Sequence, residues 1–126
     1  MNAPDMASAN TLPPTPVLDI ECGLSMLGGD ELLRQILTTV LNSLPNNVPE
    51  IWRALESGDV VAANHVLHSI KGYVPLFCVE AFVTEVTQLE RLSKNANAAT
   101  VTPLFAVLAP RIEQLLGEIR AYLTPL

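Results

Sequence analysis

Positive charge is what this 126-residue chain has least of: seven Lys and Arg stand against thirteen Asp and Glu, for a formal charge of −6. A nucleic-acid interface needs clustered cations to neutralise phosphates, and a grip on anionic lipid needs a polybasic patch, so both classes are excluded. Cysteine is scarce too. Cys22 and Cys78 are too few and too far apart for a disulfide scaffold or a zinc site, and free buried thiols are expected. No apolar run approaches the roughly 18 residues of a membrane span. The first basic residue is Arg34, so no charged n-region precedes an apolar segment as in a secretory signal. Membrane insertion is not expected, and the cytoplasm is the expected location. Aromatic residues make up only 5%, and Trp52 and the three Phe residues read as core or core-edge packing. The chain also lacks a solenoid-length repeat, convincing period-two alternation, a Gly-rich nucleotide loop of the P-loop type and a paired carboxylate site to hold metal.

What it has is hydrophobic material, 49% of the residues with a mean hydropathy of +0.33, ample for one compact core. Residues 1–17, with Pro4, Pro13, Pro14 and Pro16 and a single charge at Asp5, read as a flexible proline-rich lead-in to a domain over residues 18–126. From Leu18 the periodicity is helical. Asp19 is placed to cap a short helix that stops at Gly28-Gly29, and Asp30 to cap the next. In that second helix Leu33, Leu37, Val40, Leu44, Val48, Ile51 and Leu55 recur at steps of three or four, with Pro45 and Pro49 predicting a kink or a short break. Ser57-Gly58-Asp59 reads as a stop followed by a new N-cap for the third helix. Val79, Phe82, Val83, Val86, Leu89 and Leu92 mark the fourth, and Ser93 to Asn97 its connecting loop. A fifth uses Leu104, Phe105, Leu108, Ile112, Leu115, Ile119 and Leu123, with Thr102-Pro103 as cap and first turn and a bend at Pro110. The expected fold is all-α, an antiparallel four-helix bundle with the short additional N-terminal helix packed across one end.

One stretch carries chemistry. At about 100° per residue, Asn64, His68, Lys71, Gly72 and Pro75 share one stripe of the third helix, whereas Ala63, Val66, Leu67 and Ile70 lean to the other side. A neutral imidazole on an exposed face can attack phosphorus through a ring nitrogen, and the phosphoramidate formed is reactive enough to pass its phosphoryl group on. Lys71, one turn later, is spaced to place its ammonium beside the phosphoryl oxygens; Gly72 leaves room for a partner's loop, and Asn64 adds a polar contact. His65 lies about 60° round the helix from His68 and reads as a flank residue. A metal site of His65, His68 and Cys78 is not favoured, because the two His lack i, i+4 spacing and no carboxylate is near them in sequence. Glu85, Glu90 and Arg91 read as a solvated helix face.

From Leu18 to Leu123 the chain resembles the histidine-containing phosphotransfer (HPt) domains of two-component phosphorelays. The resemblance is carried by Leu27-Gly28-Gly29-Asp30, by Ala54-Leu55-Glu56-Ser57-Gly58-Asp59, by His68-Ser69-Ile70-Lys71-Gly72 and by Leu89-Glu90 in the following helix. It implies a four-helix bundle in which His68 is the phosphoacceptor. The implied partners are response-regulator receiver domains or a hybrid sensor histidine kinase, a receiver's aspartate and bound Mg²⁺ completing the transfer. The implied protein is a phosphohistidine carrier, not an enzyme with catalysis of its own; it needs no cofactor, and the Mg²⁺ belongs to the partner. In that family the first helix often contributes to the apolar docking surface, which makes Leu24 and Leu27 candidates for it; for both, the plainer role is a lid on the bundle end.

The pattern departs from the family at Tyr73-Val74-Pro75-Leu76-Phe77-Cys78. Pro75 cannot donate to the carbonyl of Lys71, so the helix is expected to bend or end near the site, and Cys78 stands where the family typically has glycine. Bulk at Tyr73, Pro75 and Phe77 raises an alternative function, an HPt-like interaction module that binds a signalling partner without transferring phosphate. The chain is readable as a free-standing carrier or as the terminal domain of a hybrid sensor kinase.

Overall fold

The computed structural model describes residues 15–125. They form five helices: α1 (Ile20–Leu27), α2 (Asp30–Glu56), α3 (Val60–Tyr73), α4 (Glu80–Ser93) and α5 (Ala98–Leu123), with one 3₁₀ turn, Val74–Leu76, between α3 and α4. Helices α2 to α5 close a ring, α2 against α3 and α5, and α4 against α3 and α5. Among the described residues no helix is long and apolar enough to cross a membrane. The described chain is already tied to α5 at Thr15 and Val17. There the Gln114 amide donates to the Thr15 carbonyl (2.8 Å), and the backbone N–H groups of Val17 and Leu18 donate to Glu118 Oε1 (2.8 and 2.7 Å). The lead-in up to Pro14 lies outside the described residues.

The periodic spacing of α2 translates directly into burial: the seven residues of its apolar stripe are its seven buried ones. Of the kink or short break expected at Pro45 and Pro49, the break does not occur: the helix is unbroken through both. Each proline forfeits one backbone bond. Burial of Leu44, Val48 and Ile51, worth about 1.5–3 kcal/mol apiece, outweighs that loss. Helix α5 is likewise unbroken through Pro110. Its start is also earlier than the spacing predicted. Asn97, not Thr102, is the N-cap, with Oδ1 accepting from the Thr100 backbone N–H at 2.9 Å. Asp30 is not a cap either: Gly29 holds that position, and the Asp30 carboxylate accepts from Arg34 Nε (2.7 Å) and from the Tyr122 hydroxyl, tying α2 to the end of α5. Asp19 and Asp59 do cap, accepting from the backbone N–H groups of Cys22 and Ala62. The core holds Phe77, Phe82 and Phe105, and half-buried Trp52 meets the Phe105 ring edge-on at 4.8 Å.

Helix α3 ends where Pro75 was expected to end it. Tyr73 is its last residue, and the chain tightens into the 3₁₀ turn with Pro75 in its first positions. Residues 17–19 then pair with 77–79: Leu18 and Cys78 form an isolated antiparallel bridge, Asp19 N–H donates to the Phe77 carbonyl (2.7 Å), and Val79 N–H to that of Val17 (2.9 Å). This strap seats α1 against the 3₁₀ turn and α2. The contact is close at Gly23, where a Cβ would stand 2.7 Å from Leu33 Cδ1 and 3.3 Å from Phe77 Cβ. Cys78 is buried, which pushes its thiol well above the ordinary range, with the negative charge of Glu118 adding to the effect. Cys22 is only half-buried, short of the full burial expected, because it faces the carbonyls of Pro75 and Leu76 at the rim.

Candidate functional site

His68 lies two turns into α3 and is 65% exposed, yet its ring is not free. Nδ1 lies 3.4 Å from Oε2 of Glu90, a residue of α4 that is only 1% exposed. In the tautomer with its proton on Nδ1, that nitrogen donates to the carboxylate, and Nε2, on the opposite edge of the ring, keeps a lone pair facing outward. The other Glu90 oxygen accepts from Lys71 Nζ at 2.9 Å, and Lys94 Nζ is 3.5 Å from Oε2. Asn64 Nδ2 reaches the Glu90 carbonyl (3.0 Å), Oε2 (3.1 Å) and Ser93 Oγ (2.9 Å), more acceptors than its two N–H groups can serve at once. Ser93 is itself buried and donates to the Glu90 carbonyl at 2.7 Å.

The expected solvated face at Glu90 is therefore corrected: Glu90 is the buried centre of the site. Its position in sequence carried the signal. It falls four residues after Val86 and eight after Phe82, both fully buried, so the α4 spacing turns it inward. Nothing in the sequence around His68 shows that a carboxylate will arrive from another helix. Lys94, at the C-cap of α4, was likewise hidden in the connecting loop. With Asn64, His65, His68 and Ser69 it lines a surface depression of about 440 Å³.

Burial opposes ionisation of Glu90, but hydrogen bonds from Lys71, Asn64 and His68 outweigh it and bring its pKa down from 4.5 to about 2. A carboxylate depressed on folding stabilises the fold above its unfolded pKa and loses that contribution as pH falls through the folded value. Stability supplied by Glu90, on the order of 3 kcal/mol, is expected to disappear between pH 4.5 and about 2. Urea melts at pH 5, 4 and 3 check this: the decline should be steep in the wild type and shallower in Glu90→Gln.

Of the other predicted site residues, Lys71 is 30% exposed, and its ammonium sits between Glu90 and solvent beside His68. Asn64 turns inward to Glu90 and Ser93 rather than outward, which makes it a support for the carboxylate. Gly72 is exposed, and a Cβ built on it meets nothing within 4 Å. No contact within the fold calls for glycine there, although glycine in a helix costs about 1 kcal/mol relative to alanine. Gly72→Ala is therefore expected to leave the melting temperature unchanged or slightly raised in a thermal melt. Pro75 is exposed on the same side; Leu24 and Leu27 are half-buried and pack on the core, with Met26 beside them 57% exposed. Tyr73 and Phe77 do not form the apolar surface their bulk suggested. Phe77 is fully buried, and Tyr73 stacks on it at 6.0 Å with its hydroxyl turned inside.

Sensor protein EvgS of Escherichia coli (strain K12) is 26% identical to the chain over 110 residues, 86% of this chain and 8% of that protein. Sensor protein EvgS of Escherichia coli O157:H7 is 25% identical over 119 residues, 94% of this chain and 9% of that protein. The chain thus spans less than a tenth of the length of these curated relatives. No family model matches it, and no solved structure matches it. By sequence, this helical bundle is similar to a small part of a sensor protein.

Proposed function

We propose that the chain is a phosphorelay phosphocarrier of the HPt kind, taking a phosphoryl group on Nε2 of His68 from a receiver-domain aspartate and passing it to another receiver. The observation that carries this reading is the buried Glu90 carboxylate beneath an exposed imidazole. It fixes the proton on Nδ1, which leaves Nε2 as the nucleophile, and it offsets the positive charge that develops on the ring as Nε2 attacks. In the forward step the Nε2–P bond forms, the P–O bond of the aspartyl phosphate breaks, and the aspartate leaves as carboxylate. In the return step a receiver carboxylate oxygen attacks phosphorus and Nε2 recovers its electron pair. Lys71 and Lys94 face the negative charge of the transferring group. No further catalytic group is assigned to this chain; Mg²⁺ and the remaining charge stabilisation belong to the receiver. Similarity to a sensor protein supports a place in signal transduction.

The test is transfer from a panel of phosphorylated receiver domains, in the presence of Mg²⁺. Label should appear on this chain in an acid-labile, alkali-stable form with at least one receiver and return to a second receiver when it is added. Failure of every receiver to transfer, with binding intact, contradicts the carrier role.

A further inference from the structure

Two ammonium groups and one carboxylate surround His68, and the carboxylate holds both. Lys71 Nζ is 2.9 Å from Oε1 and Lys94 Nζ 3.5 Å from Oε2, whereas Glu90 at 1% exposure has almost no access to solvent that would screen it. A phosphoryl group on Nε2 brings about two negative charges to the same place. We propose that Glu90 and the phosphoryl group compete for Lys71 and Lys94, so that Glu90 sets the transfer potential of phosphohistidine by keeping it under-neutralised. The inference rests on the phosphocarrier reading above and adds what governs how readily the group leaves.

With the ring neutral, the local sum is one positive charge before phosphorylation and about one negative charge after it. Glu90→Gln keeps the shape and an acceptor for Nδ1–H but brings the phosphorylated sum to about zero. Lys94→Gln takes it to about two negative charges. Lys94 is the looser of the two cations, 52% exposed at the end of α4, so its removal leaves the packing of Glu90 against Lys71 and Asn64 in place. The phosphorylated share should therefore rank Glu90→Gln above the wild type and the wild type above Lys94→Gln. The double variant Glu90→Gln/Lys94→Gln restores the original sum and should return close to the wild type.

The experiment needs no cognate partner. Phosphoramidate loads the protein: the Nε2–P bond forms, the bond from phosphorus to ammonia breaks, and ammonia leaves. Equimolar wild type and variant are then equilibrated with imidazole as a small-molecule shuttle, whose nitrogen takes the phosphoryl group from one protein and returns it to the other. Mass spectrometry reads the partition, with His68→Gln as the background. Each single variant is expected to differ from the wild type by at least about threefold, in opposite directions, and the gap should narrow as salt rises. A merely structural role for Glu90 would move the melting temperature but would not give opposite signs or a compensating double variant. Glu90→Gln at or below the wild type, or Lys94→Gln at or above it, overturns the proposal. Absence of label on wild-type His68 overturns the phosphocarrier reading itself and this proposal with it.

Discussion

His68→Gln is expected to abolish phosphoryl acceptance, label falling at least about 10³-fold to background, because the amide that replaces the imidazole has no nucleophilic nitrogen. The fold should not notice. The ring is 65% exposed and its one polar contact is long, 3.4 Å to Glu90 Oε2. An exposed substitution of this kind shifts stability by no more than about 0.5 kcal/mol. Thermal melts of the two proteins should superimpose while their labelling differs completely. Labelling that survives in the variant would move the phosphoacceptor elsewhere, and His65, in the same surface depression, would be the first place to look.

Glu90→Ala has the larger effect on the fold. The substitution removes the carboxylate shared by Lys71, Lys94, Asn64 and His68 and empties a buried site between α3 and α4. Leaving one side of a buried ionic network costs about 3–5 kcal/mol where nothing replaces the lost partner. Lys71 at 30% exposure can turn to water, and Asn64 keeps the Glu90 carbonyl and Ser93, so the expected loss is about 2–3 kcal/mol. For a domain of this size that lowers the melting temperature by roughly 10 °C. A calorimetric scan that finds the variant as stable as the wild type would mean that Glu90 contributes to chemistry alone.

The helices were legible because their burial is a local, periodic property. Leu33 to Leu55 recur at helical spacing and all seven are buried. The stop at Tyr73 was legible for an equally local reason, since Pro75 has no N–H to donate to the carbonyl of Lys71. What spacing misjudged was the weight of tertiary packing: it allowed a short break at Pro45 and Pro49, where the buried face of α2 carries the helix through, and it started α5 at Thr102 although Asn97 caps a turn earlier. The site divides in the same way. His68, Lys71 and Gly72 lie within five residues of one another, and their common flank could be read from the helix period. Glu90 and Lys94 come from the last turn and the C-cap of another helix, 22 and 26 positions away, and a charged residue there reads as solvated unless its partners are known. Leu104 errs the other way: it fits the α5 stripe yet is 46% exposed, because a pattern gives the direction of a face and not its width.

The carrier role turns on which atom takes phosphorus. Nitrogen-15 and phosphorus-31 NMR of the phosphorylated chain should place the group on Nε2 of His68, with the proton retained on Nδ1 toward Glu90; phosphorus on Nδ1, on His65 or on neither histidine would contradict it.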